Sequence, residues 1–268
     1  MFCHTFPFPS TDEYKTKKLV LRKVNEGTYV IGHTNHDSQE WGLRNTPHGV
    51  AVPSGTCYYI GVFPLTTAQY DYVMGIASNR DDTKPKSGIS WNTMRSSAGA
   101  NTMLDGNKDN TENFLVRFNG LLDGQYIFDL PTEEMWEIAA RAGATTYYYW
   151  GDDASVAGEY AWYSGNNSSS MTVYPVGEKR PNAWGIYDTA GNEWEWCRDI
   201  LTDGDLADKT SDIYTANAIS ASGDSARRIL RGSYSSRNAI FLTPSCRGNS
   251  TANSPGAVWC HRIAYIKR

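Results

Sequence analysis

The second half of the chain, residues 147–268, most restricts the fold, because it is long and has almost no helical periodicity. Turn-forming residues recur along it, as in the segments 151–153, 165–167, 203–204 and 222–224. A stretch of this kind forms long loops between short strands. Buried backbone groups in long loops need hydrogen-bond partners, so such loops require internal anchors. The pattern predicts an α+β domain with few helices, short strands and long loops.

Two helices are predicted in the first half of the chain. Thr66 and Thr67 are N-cap candidates for a helix over residues 68–74, which Gly75 ends. A second helix is predicted over residues 133–142. Its first turn carries acidic side chains, which suit the positive end of the helix dipole, and its apolar residues recur at helical spacing.

Strands are predicted for the apolar, β-branched runs that lie before these helices. Residues 19–24 and 27–32 are expected to form one hairpin, with Asn25 and Glu26 near its turn. Residues 58–64 are expected to form a further strand.

Composition excludes several classes of protein. The chain of 268 residues has a net charge of −4 and a pI of about 5.7, and it has no run of Lys or Arg, so we expect no nucleic-acid partner. No stretch approaches the roughly 18 apolar residues of a membrane span. Residues 1–10 lack the basic and apolar blocks of a secretory signal, so no signal peptide is expected. We interpret residues 1–268 as a single domain.

Motifs of the common catalytic sites are missing from the sequence. The five cysteines are widely spaced without a CxxC, and the five histidines have no HxxxH spacing. A disulfide framework, a zinc site and a non-haem iron site are therefore not expected. Neither a GxSxG elbow nor a phosphate-binding glycine loop occurs.

Eight segments of the sequence resemble the motifs of one protein family and occur in the same order. They are residues 29–32, 45–50, 64–70, 84–91, 130–143, 149–151, 181–196 and 229–234. The two longest read L-P-T-E-E-M-W-E-I-A-A-R-A-G and P-N-A-W-G-I-Y-D-T-A-G-N-E-W-E-W. Together they resemble the formylglycine-generating-enzyme-like, or sulfatase-modifying factor, family. The resemblance covers residues 28–265 and implies that family's variant of the C-type-lectin-like fold.

The resemblance also implies a calcium site in the segment 181–196, with structural Ca²⁺ bound by oxygen atoms. Hard oxygen ligands suit Ca²⁺. Three carboxylates crowded beside aromatic side chains need a cation, so an arginine partner, Arg198 or another, is the alternative. Trp194 and Trp196 are two residues apart, so in a strand both would face the core. The positions matching the family's ligands are Asp188, Gly191, Glu193 and Glu195.

The family's enzyme oxidises a sulfatase cysteine to formylglycine, and the resemblance implies copper held by two cysteines shortly after the R-G-G-S-W motif. In this chain the matching positions hold Ser236 and Phe241. Because soft thiolates select Cu(I), we expect neither bound copper nor this chemistry. A displaced pair formed by Cys246 and Cys260 is the alternative.

The C-terminal segment, residues 229–266, contains no Asp, Glu, Lys, Gln or Met. When the adenines of an AAC or AAT codon are changed, the new codons encode a limited set of residue types. Apart from Trp259, these types cover much of the composition of the segment. This is similar to the variable region of target proteins of diversity-generating retroelements, which carry that region at the C-terminus of a lectin-like fold. The similarity implies a non-catalytic protein that displays a hypervariable surface, from a bacterial cell surface or a phage particle, to a protein or carbohydrate ligand on a cell.

We expect the ligand-binding side chains of this segment to be exposed, while Arg231, Trp194 and Trp196 hold the backbone beneath them. A rigid scaffold can then change its ligand without losing its fold. The alternatives are an oxidoreductase of the sulfatase-modifying type and a lectin-like domain of fixed specificity. The predicted ligand-binding residues are Tyr234, Ser235, Ser236, Arg237, Asn238, Ile240, Phe241, Cys246, Gly248, Asn249 and Ser250.

Overall fold

The computed structural model describes residues 13–33, 46–77, 81–96, 104, 106–122, 126–167, 169, 171–201, 213–214 and 226–267. In this part of the chain the fold is α+β, with short helices and strands joined by long loops. No described helix is long and apolar enough to cross a membrane. In chain order the elements are α1 (Glu13–Thr16), β1 (Leu21–Val24), β2 (Gly27–Ile31), β3 (His48–Val52), β4 (Cys57–Gly61), α2 (Thr67–Met74), α3 (Trp91–Arg95), α4 (Phe114–Gly120), β5 (Phe128–Asp129), α5 (Glu133–Arg141), α6 (Ala157–Tyr160), β6 (Trp194–Ile200), β7 (Arg227–Arg231), β8 (Arg247–Thr251), β9 (Trp259–His261) and β10 (Ala264–Lys267).

The first sheet brings the two ends of the described chain together. Its strand order is β1-β4-β10-β5, and every pairing in it is antiparallel. Leu21 of β1 and Ala264 of β10 pair with Gly61 and Ile60 on either side of β4. The fold is therefore closed by strands from opposite ends of the sequence.

The predicted hairpin of β1 with β2 is wrong. β1 pairs with β4, whereas β2 pairs with β3 in a separate two-stranded sheet. Glu26, in the connection between β1 and β2, accepts hydrogen bonds from Ser54 and from the backbone N–H of Gly55, which lie between β3 and β4. The connection between β1 and β2 is thus hydrogen-bonded to the turn between β3 and β4. The strands β3 and β4, on the two sides of that turn, pair with β2 and β1 respectively.

Both predicted helices are confirmed, with ends set by their caps. The side chain of Thr66 caps the backbone of Gln69 at the start of α2, and Gly75 ends the helix in a left-handed conformation. Thr132 caps α5 by accepting a hydrogen bond from Met135 N–H, and Ala142 ends it.

The second sheet carries the C-terminal segment and has the order β8-β7-β6-β9, with β6 and β9 parallel and the other pairs antiparallel. Successive strand residues point to opposite faces. Trp194, Trp196 and Leu230 pack into the main hydrophobic core, as expected for the two tryptophans. The opposite face, with Glu195 and Arg231, packs against α5.

A buried network of charges joins α5 to this second face. Arg231 lies 2.9 Å from Glu133 (Nε to Oε1) and also pairs with Glu137. Arg247 forms a two-point contact with the same Glu133, through Nε and Nη2. Burial would raise the pKa of Glu137, but Arg231 and Arg141 outweigh it and lower the pKa, so the carboxylate stays ionised. Paired buried charges of this kind tolerate little change, since removing one leaves the others uncompensated.

Arg231 also holds the backbone of the C-terminal segment. Its Nη1 donates to the carbonyl oxygens of Pro244 at 2.8 Å and Cys246 at 3.2 Å. These residues immediately precede β8, which pairs with β7 from Arg227 to Arg231. The expectation that Arg231 fixes the backbone of this segment is confirmed.

Candidate functional site: a cavity at the end of the second sheet

A cavity of about 240 Å³ opens over the apolar face of the second sheet. Register places its central residues side by side, with Leu230 opposite Gly248 and Trp194 beside Trp259. A Cβ atom at Gly248 would meet the Trp194 ring at 3.1 Å, so glycine lets the indole lie flat over β8. The residues that line the cavity are Trp194, Leu230, Tyr234, Arg237, Gly248, Asn249, Val258 and Trp259.

Aromatic and cationic side chains form the rim. The Tyr234 ring lies 6.5 Å from the Trp194 ring, centroid to centroid. The guanidinium of Arg237 lies over the rings of Phe241 at 4.9 Å and Tyr234 at 5.8 Å, which is within range of cation–π attraction. On the other side, Arg227 Nε donates to the amide oxygen of Asn249 at 2.5 Å. The rim therefore carries positive charge beside flat apolar surfaces.

The display loop, which we define as residues 234–241, is held at its backbone. Ser235 N–H donates to the Asn192 carbonyl, and the Ser235 hydroxyl donates to the Thr172 carbonyl at 2.8 Å. At the other end, the Tyr147 hydroxyl donates to the Ile240 carbonyl at 2.9 Å. These bonds use main-chain atoms or buried side chains, so the outward side chains can vary without removing them.

A second loop, whose described residues are 161–167, 169 and 171–177, runs beside the display loop; we call residues 161–177 the facing loop. Ser164 N–H donates to the Arg237 carbonyl, and the Ser164 hydroxyl donates to the amide oxygen of Asn238. Asn167 donates to the Ser235 carbonyl, and Met171 N–H donates to the Ser236 hydroxyl. The facing loop is therefore part of the same surface.

Four of the predicted ligand-binding residues are not on the surface. Ser235, Phe241, Cys246 and Gly248 are buried, and Phe241 is only 5% exposed. Phe241 and Cys246 belong to the main hydrophobic core. The prediction of exposure was wrong for the last three because the chain turns inward after Ile240, which is itself 43% exposed. It was wrong for Ser235 because its hydroxyl is turned toward the Thr172 carbonyl.

The other seven predicted residues are exposed or half-buried. Asn238 and Ile240 are exposed, and the half-buried ones are Tyr234, Ser236, Arg237, Asn249 and Ser250. Within this group Tyr234, Arg237 and Asn249 line the cavity.

Sequence reasoning missed the other walls of the site. Trp194 was assigned to the core alone, and Trp259 and Val258 were not considered, yet all three line the cavity. The facing loop was also missed, although residues 161–177 contain no Asp, Glu, Lys or Arg and are rich in Ser, Asn and Gly. The absence of Asp, Glu and Lys is shared with the C-terminal segment and could have marked the facing loop.

The comparisons with known proteins bear on this arrangement. The family model described as the sulfatase-modifying factor enzyme 1-like domain matches residues 6–265. The chain belongs to this family. Among curated relatives, the formylglycine-generating enzyme of Streptomyces coelicolor is 32% identical over 145 residues, which is 47% of this chain and 44% of that enzyme. The match therefore spans less than half of the relative's length.

Two solved structures share the fold over nearly their whole length. PvdO from Pseudomonas aeruginosa superposes with a TM-score of 0.72 at 16% identity, covering 92% of this chain and 94% of PvdO. Treponema denticola variable protein 1 superposes with a TM-score of 0.70 at 21% identity, covering 91% and 94%. At these identities the likeness establishes the fold alone, and it confirms the expected C-type-lectin-like architecture of the family.

The two positions that match the family's copper cysteines have other structural roles. The Ser236 hydroxyl accepts the hydrogen bond from Met171, and Phe241 packs in the core. Cys246 and Cys260, the alternative pair, are free and buried. Burial raises the pKa of the Cys246 thiol to about 12 and also raises the pKa of Cys260, which opposes the thiolate form that a metal requires.

The four positions that match the family's calcium ligands do not fit a calcium ion as they are placed. Both oxygens of Glu195 are bonded to Arg262, at 2.8 and 2.6 Å, and Oε2 also accepts from the Trp136 indole. The arginine alternative therefore accounts for Glu195, with Arg262 as the partner.

The other positions of this set have protein partners of their own. Glu193 accepts hydrogen bonds from Ser87 and the Cys260 thiol, and Asp188 accepts one from Gly177 N–H at 2.7 Å. Burial raises the pKa of Glu193 to about 8 and that of Asp188 to about 6, so burial works against the charged forms that a cation would need. At Gly191 a Cβ atom would lie 2.1 Å from the Trp162 carbonyl oxygen, so this glycine allows two loops to approach.

Proposed function

We propose that this chain is a non-catalytic ligand-binding protein whose C-terminal segment forms a variable display surface. The observation that carries the proposal is that residues 231–250 separate into buried residues, which hold the backbone, and exposed side chains. Buried residues such as Arg231 fix the backbone, while Asn238 and Ile240 of the display loop are exposed and Ser236 is half-buried. A surface that changes its ligand without losing its fold needs this separation.

Composition supports the same function. The C-terminal segment lacks Asp, Glu, Lys, Gln and Met, and the facing loop lacks charged residues. Recognition loops of antibodies are likewise rich in Tyr, Ser, Gly and Asn, with Trp and Arg as anchors. The likeness in fold to Treponema denticola variable protein 1 supports the proposal of variation of this kind for the present chain. Under this proposal the domain is presented by a bacterial surface or a phage particle.

The alternative is an oxidoreductase like the curated relatives named formylglycine-generating enzymes. Ser236 and Phe241 at the copper positions argue against it, because neither side chain supplies a thiolate. The test is incubation with a sulfatase-type cysteine peptide, with and without copper. We expect no formylglycine; formation that disappears in both Cys246→Ser and Cys260→Ser would support the enzyme instead.

The display function is tested with a surface variant that changes Ser236, Arg237, Asn238 and Ile240 together to Ala, Gln, Ser and Thr. We expect the free energy of unfolding to change by less than about 1 kcal/mol, because these side chains are exposed or half-buried. The matched control is Phe241→Ser. It should lower the free energy of unfolding by several times that amount, because it opens a cavity in the core. Unfolding of the surface variant would contradict the proposal.

A further inference from the structure

We propose that the cavity over the second sheet is a subsite for a neutral aromatic side chain of a protein ligand, and that Gly248 keeps this subsite open. Such a subsite rests on the proposed function, to which it adds the chemical class of the bound group. The walls of the cavity, its few polar groups and the space above Gly248 support it.

Two indole rings form walls of the cavity, and each lies against a glycine. The Trp194 ring lies against Gly248, where an added Cβ atom would be 3.1 Å from the ring. The Trp259 ring lies against Gly256, where an added Cβ atom would overlap the ring. Trp259 also meets Trp196 edge to face, with the ring centroids 5.4 Å apart. Walls that are already held in place lose little conformational entropy when a ligand binds.

The volume of the cavity suits a single ring. It is about 240 Å³, whereas a dry apolar cavity of about 150 Å³ is enough to bind benzene. Leu230 and Val258 are buried and give the cavity an apolar base, and Tyr234 adds a third aromatic side chain to its lining. Aromatic rings attract one another in offset and edge-to-face arrangements. A side chain of phenyl to indole size therefore fits both the volume and the lining.

The lining offers little to a charged or strongly polar group. Arg237, the one charged side chain among the described residues of the lining, is packed over the rings of Tyr234 and Phe241, and its charge repels a cationic ring. The amide oxygen of Asn249 already accepts a hydrogen bond from Arg227. A sugar ring would bring several hydroxyl groups into a lining with few partners for them, which costs free energy. A neutral aromatic ring carries no such cost.

Gly248 determines whether the space above β8 is open. It pairs with Leu230 across the sheet, so a side chain at this position would lie on the same face as Leu230 and enter the cavity. Gly248 lies within a strand and has no positive φ, so its backbone would accept a side chain. Alanine there would press on the Trp194 ring, and leucine would fill much of the cavity. The residue at position 248 therefore decides whether this surface can take an aromatic side chain.

The probes are single side chains in a common amide form, so that they differ in the side chain alone. N-acetyl-L-tryptophanamide, N-acetyl-L-tyrosinamide and N-acetyl-L-phenylalaninamide are compared with N-acetyl-L-leucinamide, and methyl α-D-glucoside represents a sugar ligand. Binding to the full chain is measured by titration in saturation-transfer NMR. We expect at least one aromatic amide to bind about tenfold more tightly than the leucine amide, and the glucoside to bind more weakly than that aromatic amide.

Gly248→Leu should abolish binding of the aromatic amide, because the new side chain occupies the cavity. The matched control is Thr251→Leu, which adds the same side chain to an exposed position of β8 outside the lining and should leave binding unchanged. Melting curves show whether each variant is folded. Trp259→Ala, which removes one wall, should weaken binding severalfold and carries the test if Gly248→Leu does not fold.

Equal binding of the aromatic and leucine amides, tighter binding of the glucoside, or no binding of any probe would overturn the inference. Aromatic binding that survives both Gly248→Leu and Trp259→Ala would place the bound ring elsewhere and overturn it as well. The stability test of the surface variant involves no ligand, so the proposed function can stand or fail independently.

Discussion

Arg231 and Arg237 lie close together in the sequence and have opposite surroundings. Arg231 is fully buried, pairs with two glutamates of α5 and donates to two backbone carbonyls. Arg237 is half-buried against aromatic rings at the rim of a cavity. The same residue type therefore holds the backbone from a fully buried position in one place and is a half-buried residue beside aromatic rings in the other. The difference teaches that exposure, and not residue type, separates the scaffold from the display surface.

The largest expected effect comes from breaking the buried member of this pair. Arg231→Met removes a buried cation that Glu133 and Glu137 share, so that each keeps one arginine, Arg247 or Arg141, and losing one partner of a buried ion pair costs about 3–5 kcal/mol. Arg237→Met should change stability by less than about 1 kcal/mol. Urea unfolding of both variants measures the difference, and similar losses in the two would remove the distinction between the regions.

The next comparison is between two adjacent residues of the display loop. Phe241→Ala should destabilise the protein by about 3 kcal/mol, because it empties a core position. Ile240→Ala should stay within about 0.5 kcal/mol, because its side chain is largely in solvent. Chemical denaturation of the two single variants measures the difference. Equal losses in the free energy of unfolding would mean that the boundary between scaffold and display surface does not lie between Ile240 and Phe241.

His261 gives a smaller, pH-dependent effect within the scaffold. Burial lowers its pKa to about 3, and neither ring nitrogen has a hydrogen-bond partner among the described residues. The unfolded chain takes up a proton near pH 6.5 while the folded chain does not, so stability is lost as the pH falls from about 6.5 toward 3.

His261→Phe should therefore raise stability by about 1–3 kcal/mol near neutral pH, since it removes a buried polar group without a partner. Its advantage over the natural chain should widen as the pH is lowered through this window. Melting curves across pH 4–8 measure the difference, about 1.4 kcal/mol per pH unit at most. A constant difference at all pH values would mean that His261 is not the titrating group.

The smallest expected effect concerns calcium. Because Arg262 and Trp136 already occupy the carboxylate of Glu195, EDTA should leave the melting temperature unchanged, and added CaCl₂ should not raise it. A clear fall in the melting temperature with EDTA, reversed by calcium, would contradict this expectation. It would support the calcium site that the family resemblance implies and show that this region rearranges around the ion.

Local signals in the sequence predicted the helices and the main scaffold well. The Thr caps and glycine of α2, the acidic first turn of α5 and the spacing of Trp194 and Trp196 are each decided by neighbouring residues, and each is confirmed.

Pairing and burial in the loops could not be predicted in the same way. β1 and β2 looked like a hairpin, but β1 pairs with β4 and β2 pairs with β3, and these partners lie beyond the local pattern of residues 19–32. Phe241 follows Ile240 with no change in local pattern, and only the packing of β6 and β7 decides that one is inside. The walls of the cavity come from separate strands, so no short stretch of sequence identifies Trp259 as a member.

The central claim is tested most directly by a library in which each position from 229 to 266 is randomised singly and folded protein is scored by protease resistance. The account predicts broad tolerance at Ser236, Arg237, Asn238, Ile240 and Asn249, and strong selection at Arg231, Phe241, Arg247 and Arg262. Tolerance that did not follow exposure, or strong selection throughout the display loop, would contradict the separation of a fixed scaffold from a variable surface.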